Sequence, residues 1–372
     1  MQVRKVDWES KQDAARFVKF PFRLYRGCQQ WVPPLVSGEL LALDQHRHPF
    51  YEHSRAAFYV VECQGEVLGR IAVMENREYN RYRRAKTAFF GYFDSVEDRD
   101  VADALFDAAA AWAHARGLNC LLGPKGLLAG TGGSVMVDGF ERRPPLGVPF
   151  NYPYYDRLLR SASFDKDTDY LSADLDTGYA LPSRVRDIAQ RARQRRGFWV
   201  KSFASTKEMR SWAPRVLAAH QGAFARNHTY YPPTPAEAHM TIDTILRVVE
   251  PGLAKLLMKG DEIIGFILAF LDISEGLQRA RGRLWPVGWW HILREQWRTR
   301  QLNLNGFGLL PGHRGLGADA VLFVALDETV RSSRFESAYL VQAEEGNVAI
   351  MNQAAHLGVE WVQRHRSYQR LV

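Results

Sequence analysis

Residues 301–322, QLNLNGFGLLPGHRGLGADAVL, form the segment from which the rest of the chain can be interpreted. Its first part alternates apolar and polar residues as a strand does, and a Pro-Gly pair then ends the strand. From Ala318 onward apolar residues recur at helical spacing. Gly315 and Gly317 leave the backbone N–H groups at the start of this helix accessible to an anion. The segment therefore predicts a strand, a phosphate-binding loop and a helix.

The loop within this segment, PGHRGLGADA, resembles the acyl-CoA loop of the GNAT N-acyltransferases, whose consensus is R/Q-x-x-G-x-G/A. Arg314 and Gly317 match the consensus, whereas Asp319 stands where Gly or Ala is usual. A carboxylate beside a pyrophosphate would repel it unless the side chain turns away to cap the helix. The alternative is an ordinary glycine turn. The resemblance implies acyl-CoA as co-substrate, no metal, and the CoA contacts Gly308, Leu309, Leu310, Arg314, Gly315, Leu316, Gly317, Ala318, Asp319 and Asn347.

A second segment, NVAIMNQAAHLGV, resembles the GNAT pattern N-x-x-A-x-x-L-Y-x-x-x-G-F, with Asn347 and Gly358 in register. In many members of the family the tyrosine of this pattern reprotonates the CoA thiolate. This chain has Ala354 at that position. Water, solvent ordered by Asn352, or His356 would then supply the proton.

Acyl transfer to an amine also requires a general base. Glu345 is the first candidate, because it follows the predicted fifth strand of a GNAT fold and a partly buried carboxyl has a raised pKa. Glu237 and His228 are the other candidates. The alternative for Glu345 is a surface turn residue.

The chain has 372 residues, enough for about two domains, and its net charge is +8, which favours an anionic partner. No apolar stretch is long enough to span a bilayer, and the N-terminus lacks the pattern of a signal peptide. The three cysteines, Cys28, Cys63 and Cys120, are widely spaced and predict reduced thiols. We expect a cytoplasmic protein.

The order helix, hairpin, strand, helix, strand occurs twice along the chain. We therefore predict an α/β fold with mixed sheets in two tandem GNAT-like lobes, residues 1–178 and 179–372. The first lobe has the acidic sequence DSVEDRD at 94–100, where a phosphate loop would stand, and is predicted to lack CoA binding. A basic helix over 179–197 joins the lobes; charge runs of this kind are most often solvated faces. Its arginines are Arg184, Arg186, Arg191, Arg193, Arg195 and Arg196.

The first half also contains aromatic segments, FPFRLYR, WVPPL, HPFYEH, FFGYFD and PFNYPYY. Together they resemble a tandem-lobe GNAT subgroup that includes the bacterial ceramide synthases, which join a fatty acyl group from a thioester to the amine of a sphingoid base. This resemblance implies a lipid amine as acceptor. Residues 149–155 and 284–297 are the expected walls of its hydrophobic trench.

An insertion at 272–300 is rich in tryptophan and arginine and predicts an amphipathic helix from Pro286, with Trp289, Trp290 and Trp297 on one face. Three alternatives remain: a core helix between the lobes, a helix that lies on an anionic membrane, and a nucleic-acid contact. No nucleic-acid motif accompanies it, so we expect peripheral contact with the inner face of the membrane.

These patterns predict an acyl-CoA-dependent N-acyltransferase that acts on a long-chain, sphingoid-type amine. The alternatives are a small-amine or amino-acid N-acetyltransferase and a non-catalytic GNAT-like adaptor that binds membrane or RNA.

Overall fold

The computed structural model describes residues 1–128, 133–175 and 179–372. The first half has strands β1 (Gln2–Lys5), β2 (Arg55–Cys63), β3 (Glu66–Glu75), β4 (Thr87–Ser95), β5 (Cys120–Gly123), β6 (Val135–Asp138) and β7 (Asp165–Leu175). Its helices are α1 (Lys11–Leu24), α2 (Val36–Leu43), α3 (Arg77–Arg83), α4 (Arg99–His114) and α5 (Tyr154–Ser161), and a 3-10 turn covers Pro49–Glu52.

The second half begins with helix α6 (Ser183–Arg196) and contains strands β8 (Phe198–Ser202), β9 (Val249–Lys259), β10 (Glu262–Leu271), β11 (Gln301–Leu309), β12 (Ser337–Glu344) and β13 (Trp361–Leu371). Its other helices are α7 (Thr206–Phe224), α8 (Pro235–Ile245), α9 (Ser274–Ala280), α10 (Gly288–Arg298), α11 (Ala318–Arg331) and α12 (Val348–Leu357). The predicted α/β class with a repeated order of elements is confirmed.

One mixed sheet runs through both halves in the order β1-β2-β3-β4-β5-β13-β7-β12-β11-β10-β9-β8, and β6 pairs with β13. The C-terminal strand β13 lies between β5 and β7, and β7 in turn lies beside β12. Each half therefore supplies a strand to the sheet of the other. The predicted boundary at 178 falls on residues 176–178, which lie outside the described residues.

Local sequence explains the two hairpins. The β2–β3 turn has positive φ at Gln64 and Gly65, and the β9–β10 turn has positive φ at Gly260. Glycine adopts this conformation without steric cost, so the predicted Gln-Gly and Lys-Gly turns fix the strand registers. The strands β6, β7 and β13 and helix α5 were not predicted.

The hydrophobic cores follow the exchange of strands. Tyr368 of β13 is fully buried in the core of the first half, among residues such as Phe90 and Phe164. In the second half α11 packs on the sheet and on α6, with Val321 and Leu322 fully buried. The C-terminal strand is thus part of the first core.

The insertion at 272–300 forms two helices, α9 and α10, instead of one. They approach closely at Gly276, where an added Cβ would lie 2.9 Å from Cβ of Glu295. The tryptophan side chains face solvent: Trp285 is 78% exposed, Trp289 44%, Trp290 49% and Trp297 72%. The hypothesis of a core helix between the lobes is therefore wrong, because Trp285 and Trp297 are mostly exposed and Trp289 and Trp290 are about half exposed. Among the described helices, none is both long and apolar enough to cross a bilayer.

Candidate functional site

The site begins where β11 and β12 separate. Residues 301–304 pair in parallel with residues 337–340, and beyond them the two strands have no further pairing. On its other edge β11 has a bulge, in which Asn305 and Gly306 lie opposite Leu268 alone. Gly306 has a φ of +132°, which an L-residue rarely adopts. The bulge turns β11 away from β12 and opens a cleft between them.

The end of β11 presents backbone groups to this cleft. The N–H of Leu310 donates to the carbonyl of Ile264 at 2.9 Å, so it is not free for a ligand. Because backbone groups alternate from side to side along a strand, the N–H of Leu309 points toward the cleft. Gly308 lies close to its neighbours: an added Cβ would be 2.7 Å from the ring of Phe266. Leu309 is therefore the predicted strand contact that remains available.

The predicted phosphate loop has the expected backbone shape. A 3-10 turn at Pro311–His313 is followed by Gly315 and Gly317 with φ of +71° and +79°, and Gly317 is the residue before α11. No side chain caps α11, so its first N–H groups remain available to an anion. Around Gly315 no heavy atom lies within 4 Å of an added Cβ, so the loop is open there.

Arg314 holds the loop in place. Its Nε donates to the carbonyl of Leu309 at 3.2 Å and its Nη2 to the carbonyl of Ala223 at 2.9 Å. The side chain is exposed and lies just beyond the end of β11. It therefore positions the loop and adds positive charge there.

Asp319 turns away from the loop without capping α11. Its Oδ2 accepts from Nε2 of Gln353 on α12 at 2.8 Å, which directs the carboxylate across to the next helix. Ala318 is fully buried, so it can offer a ligand only its backbone. Leu316 is half-buried and packs against the core of the second half.

The equivalent positions in the first half are filled. The carboxylate of Asp98 accepts from the N–H groups of Asp100 and Val101 at 2.9 and 3.3 Å, so it occupies the anion position at the start of α4. The chain after β5 returns to β4, where the N–H of Lys125 donates to the carbonyl of Phe90 at 2.7 Å. At Gly91 an added Cβ would lie 2.0 Å from the Lys125 carbonyl oxygen. The first cleft is thus closed by its own chain.

A cavity of about 1,090 Å³ extends from the β11–β12 cleft into the first half. Its walls in the second half come from β10, β11, β12 and α7, among other elements, and include Phe266, Phe307 and Phe224. In the first half they include Phe50, Met74, Phe89 and Leu127. The expected walls at 149–155 and 284–297 do not line it; the first packs into the core and the second lies at the surface. The cavity is a single apolar space shared by both halves.

A histidine on the cavity wall pairs with an aspartate of β7. Nε2 of His228 lies 2.8 Å from Oδ2 of Asp167 on β7, and His228 lines the cavity. Asp167 also accepts from the hydroxyl of Ser367 at 2.7 Å. Burial raises the pKa of Asp167, but the hydrogen bonds from His228 and Ser367 outweigh burial, so the net pKa lies below its ordinary value. Asp167 is therefore ionised at neutral pH and orients the imidazole.

Glu237 lines the cavity but is fully engaged. It is 1% exposed and accepts from the hydroxyl of Tyr231 at 2.9 Å and from the N–H of Thr234 at 2.9 Å, and its other partner is His53 at 3.2 Å. Burial raises its pKa, but these hydrogen bonds outweigh burial and hold the pKa below its ordinary value. Such a carboxylate is a weak proton acceptor.

Glu345 and Asn352 lie away from the cavity. The Glu345 carboxylate is 2.7 Å from Nζ of Lys166 and accepts from the N–H of Asp169 at 3.0 Å. Asn352 is exposed on α12, whereas its neighbour Gln353 lines the cavity. These positions do not favour a catalytic role for either residue, because neither side chain reaches the cleft.

Asn347 and Ala354 lie where the segment pattern placed them. Asn347 caps α12, its Oδ1 accepting from the N–H of Ile350 at 3.3 Å, and it lines the cavity. Ala354 is buried on the same wall. His356 is exposed, so it does not replace the missing tyrosine.

Sequence reasoning missed several polar groups of this cavity. Asp167 lies on an unpredicted strand, and Lys125, whose Nζ donates to the hydroxyl of Tyr170 at 3.2 Å, lies in a loop. His220 on α7 also lines the cavity; burial lowers its pKa, so it is neutral at neutral pH. None of these residues belongs to a short motif, so no local signal in the sequence could have identified them.

Two known proteins resemble the chain along much of its length. It is 23% identical to Protein YghO of Escherichia coli K12 over 378 residues, which cover 98% of this chain and 94% of that protein. It is 24% identical to the bacterial ceramide synthase of Caulobacter vibrioides over 289 residues, covering 77% and 73%. No family model matches the chain.

Solved structures share the whole architecture. A tandem GNAT protein from the clavulanic acid biosynthesis pathway superposes with a TM-score of 0.59 at 12% identity, covering 100% of this chain and 98% of that one. A GCN5-related N-acetyltransferase from Sphaerobacter thermophilus superposes with a TM-score of 0.51 at 14% identity, covering 100% and 95%. At such identities the likeness concerns the fold. With its repeated order of elements, its splayed strands and its glycine loop before α11, the chain has the fold of the tandem GNAT proteins.

Proposed function

We propose that this protein transfers an acyl group from acyl-CoA to the amine of a long-chain, sphingoid-type acceptor. The observation that carries the proposal is the position of the cleft: it lies between β12 and β11, the strand that leads into the glycine loop, and it is part of the 1,090 Å³ apolar cavity. The named ceramide synthase relative supports the same substrate class.

The second half would hold acyl-CoA. The loop from Arg314 to Gly317 and the uncapped start of α11 suit its pyrophosphate, and the N–H of Leu309 suits the pantetheine arm or the thioester oxygen. The thioester supplies a carbonyl that is activated toward an amine. The first half, whose cleft is closed, would contribute only to the acceptor site.

His228 is the best placed general base in this arrangement. Its imidazole lies on the cavity wall, and Asp167 orients the ring by contacting Nε2. A histidine that accepts a proton requires such an orienting partner. The acceptor enters as an ammonium ion and gives one proton to His228. The free amine then attacks the thioester carbonyl, a C–N bond forms and the C–S bond breaks. The thiolate of CoA finally takes up the proton released by the new amide nitrogen, through water or the same imidazole.

The apolar cavity would hold the acceptor chain. Its walls in the first half come from Phe50, Met74, Phe89 and Leu127, all of them apolar. Burial of a hydrocarbon chain stabilises a complex by about 0.8 kcal/mol per methylene. A small amine would leave most of the space empty.

We further propose that the insertion places the protein on an anionic membrane, from which a lipid amine could enter. Trp285, Trp289, Trp290 and Trp297, here called the tryptophan patch, project from α10 and the turn before it. Exposed arginines flank them: Arg281, Arg283, Arg294 and Arg298. Exposed rings with surrounding positive charge match the headgroup region of an anionic bilayer.

The deciding experiment is incubation of the protein with acyl-CoAs of increasing length and a panel of amines, with mass spectrometry of the products. We expect an amide of the long-chain amine. Shortening this acceptor by four carbons should lower kcat/KM on the order of a hundredfold, because about 3 kcal/mol of burial is lost. Best turnover with polyamines or amino acids would instead indicate a small-amine acetyltransferase, and failure to bind any acyl-CoA would indicate an adaptor.

A further inference from the structure

The basic helix α6 lies directly beside the phosphate loop. An added Cβ on Gly317 would lie 2.9 Å from Cγ2 of Ile188 and 3.2 Å from Cβ of Ala192. With its positive φ as well, position 317 admits only glycine, and this lets α6 approach the start of α11. The helix that joins the two halves is therefore a wall of the candidate CoA site.

The direction of α6 places its C-terminal half at the loop. Nη2 of Arg186 pairs with Asp327 at 2.6 Å, ten residues along α11 from Gly317. Ile188 and Ala192 lie at Gly317, so the two helices run in opposite directions. The residues of α6 that follow Ala192 consequently extend past the first turn of α11.

Arg191 and Arg195 lie on the face of α6 that touches the loop. They follow Ile188 by three and seven residues, the spacing that aligns side chains along one face of a helix. On the same face Nη2 of Arg184 donates to the carbonyl of His356 at the end of α12, at 2.6 Å. This face therefore looks toward α12, on the side of α11 from which Asp319 contacts Gln353.

These arginines have charge that the protein itself does not neutralise. Arg191 and Arg195 are exposed, and neither forms an ion pair within the described part of the chain, in contrast to Arg186. Nε of Arg191 donates to the carbonyl of Asp187 in its own helix, at 3.2 Å. The carboxylates in this region are Asp187, exposed on α6, and Asp319, which is bound to Gln353.

We propose that Arg191 and Arg195 bind phosphate groups of the nucleotide portion of acyl-CoA, opposite the N–H groups of the glycine loop. The inference rests on the proposed function, since it concerns the same co-substrate. Guanidinium groups form strong bidentate hydrogen bonds to phosphate, and the uncapped helix start adds positive potential beside them. The linker helix would thus distinguish CoA from carriers without its phosphates.

The test is the dissociation constant of CoA, 3′-dephospho-CoA and pantetheine, measured by calorimetry on the full-length protein. The double variant Arg191→Gln/Arg195→Gln should weaken CoA binding by roughly tenfold or more, the loss expected for charged hydrogen bonds. Pantetheine, which has no phosphate, should bind the variant and the wild type alike. The salt dependence of CoA binding should also become shallower in the variant.

Arg193 provides a matched control, because it is exposed on α6 but lies on another face of the helix. We expect Arg193→Gln to change CoA affinity by less than about twofold. Unchanged CoA binding in the double variant, or an equal loss in the Arg195→Gln and Arg193→Gln single variants, would overturn the assignment. If the wild type failed to bind CoA at all, both this assignment and the proposed function would be wrong.

Discussion

At the scale of single residues, the pairing of His228 with Asp167 separates the two candidate bases that have access to the cavity. His228 has one ring nitrogen bound to an ionised carboxylate, whereas Glu237 is saturated by three hydrogen-bond partners. A carboxylate that accepts several hydrogen bonds is stabilised in its charged form and accepts a proton poorly. The ring of His228, in contrast, has a second nitrogen that can accept a proton.

We predict that His228→Gln lowers kcat with the preferred amine by about 10²–10⁴-fold while the dissociation constant of acyl-CoA stays unchanged. Asp167→Asn should lower kcat less, because the imidazole remains but loses its orienting charge. Glu345→Gln is the matched control and should have wild-type kcat, since that carboxylate binds Lys166 outside the cavity. A large loss in Glu345→Gln with normal turnover in His228→Gln would reverse the assignment.

A second residue-scale prediction concerns acid stability and His365 of β13. This side chain is 0% exposed, and burial lowers its pKa to about 4. The unfolded chain takes up the proton near the ordinary pKa of about 6.5, whereas the folded protein does not, so the free energy of unfolding falls as pH falls between these values. Above about pH 6.5 this loss of stability does not occur, because the histidine is neutral in both the folded and the unfolded chain.

We expect this histidine alone to lower the free energy of unfolding by about 2 kcal/mol between pH 7 and pH 5. Urea unfolding of the wild type and of His365→Gln at both pH values measures the effect. The variant should lose correspondingly less stability on acidification, whatever its stability at pH 7. Identical pH dependence in the two proteins would show that the burial of His365 is not responsible.

At the scale of elements, α10 combines packing and exposure on one short helix. Ile292 packs against the second core, and the close contact of α9 with Glu295 holds the helix to the body of the protein. The tryptophans of the patch are 44–78% exposed and belong to none of the hydrophobic cores of the described residues. We therefore expect that they can be replaced with little effect on the fold.

Replacing Trp289, Trp290 and Trp297 with Ser should release the protein from anionic liposomes in a sedimentation assay, since each buried ring contributes about 1–3 kcal/mol. Trp199→Ser is the matched control, because Trp199 is 43% exposed on β8, outside the patch. It should sediment like the wild type. Undiminished sedimentation of the triple variant would remove the membrane proposal, and equal loss in the control would make the effect nonspecific.

At the scale of the whole molecule, the exchange of β7 and β13 joins the two lobes into one cooperative unit. Asp169 of β7 is 0% exposed and binds Arg366 of β13 through Nε at 2.6 Å and Nη2 at 2.9 Å. Breaking such a buried pair leaves an uncompensated charge and is strongly destabilising. Neither half can be removed without this loss.

We predict that residues 1–175 and 179–372 do not fold when produced separately and recover acyl-CoA binding when co-expressed. Deletion of β13 after Gly358 should likewise unfold the first half, because Tyr368 leaves its core. Deletion of residues 1–5, which form the edge strand β1, is the control and should retain cooperative unfolding. Near-ultraviolet circular dichroism and thermal melts report both outcomes. An independently folded first half would contradict the prediction.

The sequence by itself determined the features that depend on neighbours along the chain. The strand, glycine loop and helix at 301–322, both hairpins and the repeated order of elements follow from local periodicity and turn chemistry, and the structure contains all of them. The acidic 94–100 segment also indicated a first lobe without a phosphate loop. Here Asp98 caps α4.

Only the tertiary structure decided what depends on contacts between distant residues. The insertion pattern allowed a core helix as well as a surface helix, and packing left its tryptophans in solvent. Glu345, favoured by its position after the predicted fifth strand, binds Lys166, whereas His228 on the cavity wall pairs with Asp167, 61 residues away in the chain. The exchange of β7 and β13 is equally nonlocal. Periodicity identifies a strand and its buried face, but the partner across the sheet is set by the packing of the whole chain.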